Sequence, residues 1–81
     1  MPKSKTAAVP DTRALKILME EYLEMLREVE RTTKKILALN SQKEEFWDEL
    51  SELAPHLPMV AARSSSIEEE ILELIDRLPE D

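Results

Sequence analysis

The sequence predicts an all-α fold in which a long N-terminal helix is followed by two short ones, as a helical hairpin, a bundle or a coiled coil. Three observations carry this prediction. Apolar residues recur three and four positions apart over most of the chain, which is typical of helices. None of the 81 residues is glycine, whereas about six would be average, and this absence disfavours β-hairpin turns. Cysteine is absent too, which excludes disulfides and thiolate metal sites.

The first ten residues, MPKSKTAAVP, are predicted to be a disordered basic tail because they are small, polar and bounded by prolines. Asp11 is then a candidate N-cap for a long helix over residues 12–39. One face of that helix repeats apolar positions like a heptad, with a polar interruption at Thr32. Met19 and Leu26 widen this stripe, which favours a bundle over a narrow two-stranded coil.

Residues 40–54 are predicted to contain a break and a second, short helix. Asn40 is a residue that ends helices in the left-handed conformation, and Ser41 with Glu44 resembles a capping box. The heptad phase nevertheless continues across this stretch. Residues 11–54 are therefore expected to form a helical hairpin broken at Asn40–Ser41 or, as the alternative, one long coiled-coil helix.

The remainder of the chain is predicted to be a connector followed by an acidic helix. Residues 55–66, PHLPMVAARSSS, contain two prolines three positions apart and three consecutive serines, which indicates a Pro/Ser connector. Residues 67–81 are expected to form an acidic amphipathic helix, with Ser65 or Ser66 as its N-cap and Pro79 at its end.

The long stripe leads us to expect a homodimer, because it exceeds what two short helices can cover. The long helices would pair antiparallel, and the short helices would pack at their ends. The predicted oligomer interface consists of Leu15, Leu18, Tyr22, Met25, Leu26, Val29, Ile36 and Leu39. The predicted partner-binding residues are Phe46, Trp47, Ile67, Ile71, Leu74, Ile75 and Leu78.

The sequence favours a non-enzymatic function. The net charge of −7 argues against nucleic acid as a partner, and no apolar run approaches the ~18 residues of a membrane span. His56 is the only histidine and has no neighbouring catalytic partner in the sequence, so we expect no catalytic residue, no cofactor and no metal.

The expected function is that of a cytoplasmic protein–protein interaction module. Such a module would be an adaptor, a scaffold or an assembly subunit, acting through oligomerisation of the long helix. The partner would be a second copy of the chain or a basic protein. The alternative is an acidic inhibitor, such as an antitoxin or a nucleic-acid mimic, that binds a basic target.

Overall fold

The structure, a computed structural model, describes residues 9–79, and 80% of these residues are helical with no strand among them. Helix α1 spans Arg13–Ala38, α2 spans Glu44–Leu53 and α3 spans His56–Asp76. The predicted all-α fold is confirmed. The predicted basic tail, apart from Val9 and Pro10, lies outside the described residues, as do residues 80–81 of the predicted last helix.

Helix α1 begins one residue later than predicted. Asp11, which precedes the helix, accepts a hydrogen bond from a backbone N–H of its first turn. The Asp11 Oδ1 atom accepts a hydrogen bond from the Arg13 backbone N–H at 3.0 Å. The Arg13 guanidinium also donates to Asp11 Oδ2 at 2.6 Å. This side-chain bond, followed by the backbone bond, lowers the pKa of Asp11 below its ordinary value.

The predicted break after α1 is present, although its local geometry differs from the prediction. Leu39 leaves the helix in an extended conformation, with φ −100° and ψ 154°. The prediction of a left-handed conformation at Asn40 is wrong, because no described non-glycine residue has positive φ. The Asn40 side-chain oxygen instead accepts the Gln42 N–H at 2.8 Å. The Ser41–Glu44 capping box is also wrong: α2 follows Lys43, which makes no side-chain cap bond.

Helices α2 and α3 form one arm, bent at Ala54–Pro55. Both residues of the bend keep right-handed helical dihedrals, and the Leu57 N–H bonds to the Ala54 carbonyl at 3.2 Å. The bend lies at Pro55 because its ring nitrogen has no hydrogen to donate to the preceding turn.

The prediction of a non-helical connector at residues 55–66 is wrong, since α3 runs through it from His56. Pro58 is the third residue of α3. In the first turn of a helix, backbone N–H groups have no intrahelical acceptor, so proline is tolerated there. The two prolines therefore begin a helix rather than prevent one, and Ser65 and Ser66 lie inside it rather than at its cap.

The arm packs antiparallel along α1 within the same chain, which gives a helical hairpin. Lys35 lies beside Glu49, and Tyr22 lies beside Ser64. At 1.5 Å per residue, the arm is about 50 Å long and α1 about 39 Å. The expectation that the short helices pack at the ends of the long one is therefore wrong, because the arm spans the whole of α1.

The hairpin encloses little apolar surface. Among residues 9–79, only Ile67 and Leu74 are buried apolar side chains, each 7% exposed, and Thr32 is the buried polar one. No described side chain is buried completely. Two helices side by side bury only the stripe along which they touch. A larger core requires a further layer of secondary structure packed on them.

Candidate interaction surface

The predicted oligomer interface coincides with the α1 side of the seam, which is defined here as the packed faces of α1 and of the arm that lie against each other. Seven of its eight residues are half-buried there: Leu15, Leu18, Tyr22, Met25, Val29, Ile36 and Leu39. The eighth, Leu26, is 37% exposed and lies beside the seam. This interface was predicted because the apolar stripe of α1 was expected to be too long for the two short helices to cover. That reason does not hold, because the arm is longer than α1.

The predicted partner-binding residues divide between the seam and the surface. Ile67 and Leu74 are buried, and Phe46 and Ile71 are half-buried. The others are exposed: Trp47, Ile75 and Leu78. Trp47 is also held in place, because its indole N–H donates to the Ser41 carbonyl at 2.8 Å and its ring meets Phe46 edge-on at 5.2 Å.

Helix α1 has a second apolar face, beside the seam. Met19, Leu23, Leu26 and Leu37 each follow a seam residue by one position and are 37–79% exposed. One residue rotates a helix by about 100°, so all four side chains project from the same side of the hairpin.

The arm continues this face. Its half-buried or buried residues are likewise followed by exposed apolar ones, namely Trp47, Leu57, Leu72 and Ile75. In an antiparallel pair of helices, moving one residue forward from the seam on either helix rotates the side chain toward the same side of the pair. The eight residues therefore form one surface, here called the apolar strip: Met19, Leu23, Leu26, Leu37, Trp47, Leu57, Leu72 and Ile75.

A shallow groove of about 250 Å³ lies where the strip meets the seam. It is lined by Tyr22, Ser64, Ile67, Glu68, Ile71 and Leu72. The Tyr22 and Ser64 hydroxyls are 2.6 Å apart and hydrogen-bonded, which fixes the height of α3 against α1 at this point.

Replacing Tyr22 with phenylalanine should lower the free energy of unfolding by about 1 kcal/mol, because the part-buried Ser64 hydroxyl loses its partner. Ser64→Ala should cost a similar amount. Combining the two should cost less than the sum of the single effects, since either change removes the same bond. Urea denaturation followed by circular dichroism measures this; strictly additive costs would contradict a shared hydrogen bond.

The opposite side of the hairpin is charged. Positions one residue before the seam carry ion pairs between the helices, Glu21 with Arg63 at 2.9 Å and Lys35 with Glu49 at 3.2 Å. The exposed large apolar side chains here are Ile17 and Met59, against eight on the strip. The hairpin thus has a charged side and an apolar side.

Charge is also divided between the two limbs of the hairpin. Helix α1 carries six Lys/Arg and five Glu, whereas α2 and α3 together carry one Arg and ten Asp/Glu. Coulomb repulsion therefore disfavours the packing of one arm directly on another arm, while α1 has no such restriction.

Sequence periodicity identified the seam and missed half of the strip. Met19 and Leu26 were predicted to widen the main stripe, and Trp47 and Ile75 were predicted to bind a partner. The missed residues were Leu23, Leu37, Leu57 and Leu72. The signal was available in the 4–3 spacing of positions 19, 23 and 26, a second apolar series one residue out of phase with the first.

A larger open depression of about 790 Å³ lies near the C-terminal end of α3. It is lined by Leu18, Ser66, Glu69, Glu70, Leu72, Glu73, Ile75 and Asp76. Within residues 9–79, no three His, Asp or Glu side chains come together in a way that could hold a metal ion. His56 is half-buried at the start of α3. No helix among the described residues is long and apolar enough to span a membrane.

Comparison with known proteins finds no matching family model, no similar curated protein and no similar solved structure.

Proposed function

We propose that this chain is a non-enzymatic helical protein–protein interaction module, an adaptor, scaffold or assembly subunit that binds protein through its apolar strip. The observation that carries this proposal is the concentration of eight exposed apolar side chains on one side of the hairpin. Monomeric proteins scatter such residues singly, and contiguous patches of them mark interaction sites.

The chemistry of the strip fits the binding of protein helices. Its residues repeat at helical spacing, and an apolar helix face packs well against a similar face with interdigitating side chains. Trp47 provides an aromatic anchor, because it is 56% exposed while its backbone and indole N–H are held in place.

Photo-crosslinking in the cells that make the protein tests this function. A photoreactive amino acid at position 23, on the strip, is expected to form adducts with protein. The same amino acid at position 24, which is exposed on the charged side, is expected to form few. The two sites are adjacent in α1, so expression and folding are matched. An absence of adducts at position 23, or equal adducts at both positions, would contradict the proposed function.

A second candidate function is the acidic inhibitor, such as an antitoxin or a nucleic-acid mimic, that binds a basic target. The ten acidic residues of the arm favour it. In that case a photoreactive group at Glu69, which is exposed on the arm, should give the dominant adducts. When the crosslinking is repeated in a lysate of these cells, these adducts should decline steeply as salt is added, because counterions screen the attraction. Adducts from position 23 that are insensitive to salt would exclude this alternative.

A further inference from the structure

We propose that the occupant of the apolar strip is a second copy of this chain, with α1 of each copy packed on the arm of the other. This rests on the proposed function and identifies the partner. The product is a four-helix bundle in which two apolar strips face one another. The two-fold axis that relates the copies lies parallel to the long axis of the hairpin.

The remaining residues of this sequence offer few apolar side chains for covering the strip. Residues 1–8 and 80–81 contain one large apolar side chain, Met1. The strip has eight, spread along the length of the hairpin. A second copy supplies an apolar surface of the same length and width.

Two symmetric arrangements bring the strips face to face. With the axis parallel to the helices, α1 faces the partner's arm. With the axis across the helices, α1 faces the partner's α1 and the two arms face each other. The arms carry ten acidic residues and one arginine each, so the second arrangement places like charges together. The first separates the arms to opposite corners and puts α1, with six Lys/Arg, next to each arm.

The register of the hairpin supports the first arrangement. The two ion pairs between α1 and the arm, Glu21 with Arg63 and Lys35 with Glu49, join residues whose numbers add to 84. The hydrogen bond between Tyr22 and Ser64 joins residues whose numbers add to 86, which is within two residues of this register. An axis parallel to the helices leaves heights along that axis unchanged. Position 16 of α1 then faces position 68 of the partner's arm by the same rule. Lys16, next to the strip on α1, therefore lies opposite Glu68 of the partner subunit.

The apolar residues match in the same register. Leu37 lies at the height of the partner's Trp47, and Leu26 near the height of the partner's Leu57. Leu23 lies opposite the partner's Ala61, so that a large side chain meets a small one. Such alternation lets side chains from two faces interdigitate.

The area is sufficient for a stable dimer. The structure is 18 Å wide and α1 is about 39 Å long, which gives a face of roughly 700 Å² per copy. Stable protein interfaces bury about 600–1,000 Å² per partner. The whole strip is therefore required, and a partner that covered one end of it would fall short.

The first test is the solution mass of the purified chain together with disulfide trapping between copies. Light scattering should give about twice 9.4 kDa. The chain has no cysteine of its own. A mixture of Leu23→Cys chains with isotope-labelled Ala61→Cys chains should form mixed disulfides, because these positions face each other across the interface. Leu23→Cys chains alone should form few.

The matched control moves each cysteine by one residue to the charged side. Glu24→Cys mixed with Ala62→Cys should give few disulfides, and both positions are exposed. Three outcomes overturn the proposal: a monomeric chain, equal trapping by the control pair, or faster trapping of Leu23→Cys with itself.

The second test exchanges charges and does not depend on core packing. Lys16→Glu should raise the dissociation constant about tenfold, since the dimer contains two Lys16–Glu68 contacts and each becomes repulsive. Adding Glu68→Lys should restore the constant to within about threefold of its original value. Exchanging Glu21 and Arg63 on the charged side should leave it unchanged. A double variant no tighter than Lys16→Glu alone would overturn the register.

Failure of this inference and failure of the proposed function give different results. A monomeric chain whose position 23 still crosslinks to another protein in cells retains the proposed function and loses the second copy as its partner. A monomeric chain without such adducts loses both.

Discussion

Ile67→Ala should lower the free energy of unfolding by about 2–4 kcal/mol, and Leu74→Ala should do the same. Both side chains are only 7% exposed and lie in the seam between α3 and α1. Each truncation removes apolar contact and leaves a cavity that two helices cannot fill by moving. Because the hairpin encloses so little else, either change should remove a large part of its stability.

Met59→Ala is the matched control for these truncations. Met59 lies on the same helix, is 57% exposed and belongs to the charged side, so its loss should change the free energy of unfolding by less than about 0.5 kcal/mol. Urea denaturation at one fixed protein concentration provides the comparison, because association shifts apparent stability. Equal costs for Met59→Ala and Ile67→Ala would mean that the seam is not the core.

Ala62→Pro should destabilise the hairpin by about 3 kcal/mol or more, whereas Pro58→Ala should change stability by less than about 1 kcal/mol. Ala62 is the seventh residue of α3, where its N–H bonds one turn back. Proline there removes that bond and its ring clashes with the preceding carbonyl. Pro58 is in the first turn, where its missing N–H is harmless.

Helicity by circular dichroism and urea denaturation measure both proline variants. If residues 55–66 formed a non-helical connector, Ala62→Pro would be as harmless as Pro58→Ala. Similar stability of the two variants would therefore contradict the start of α3 at His56.

The long helix and its break were predictable because their signals are local. The apolar stripe from Leu15 to Leu39 appears as a periodicity, and Asn40–Ser41 interrupts it with polar residues. The conformation at the break was not predictable in the same way. Asn40 forms a side-chain bond to the Gln42 N–H instead of adopting the left-handed conformation, and both choices satisfy an asparagine.

The path of the arm could not be read from composition. Pro55 and Pro58 break a helix or begin one depending on where its first turn falls, and the sequence alone does not fix that position. Ser64 illustrates the same limit: the sequence placed it in the predicted Pro/Ser connector, yet its hydroxyl is hydrogen-bonded to Tyr22, 42 positions away. Such a contact exists only after the hairpin has formed.

The candidate surface was predicted only in part because α1 has two apolar faces. Periodicity shows that Tyr22 and Leu23 belong to different faces, but it does not say which face the chain covers itself. The stronger series was assigned to a second copy. The structure covers that series with the arm and leaves the weaker one, with Leu23 and Leu37, exposed.

Methionine oxidation tests most directly whether the strip, rather than the seam, joins two copies. Met25 lies in the seam, Met19 on the strip and Met59 on the charged side. Exposed thioethers oxidise to sulfoxides, and mass spectrometry reports the rate at each site. At high concentration we predict fast oxidation of Met59 and slow oxidation of Met19 and Met25. On dilution below the dissociation constant, Met19 alone should accelerate to match Met59. Oxidation of Met19 as fast as Met59 at every concentration would contradict the account.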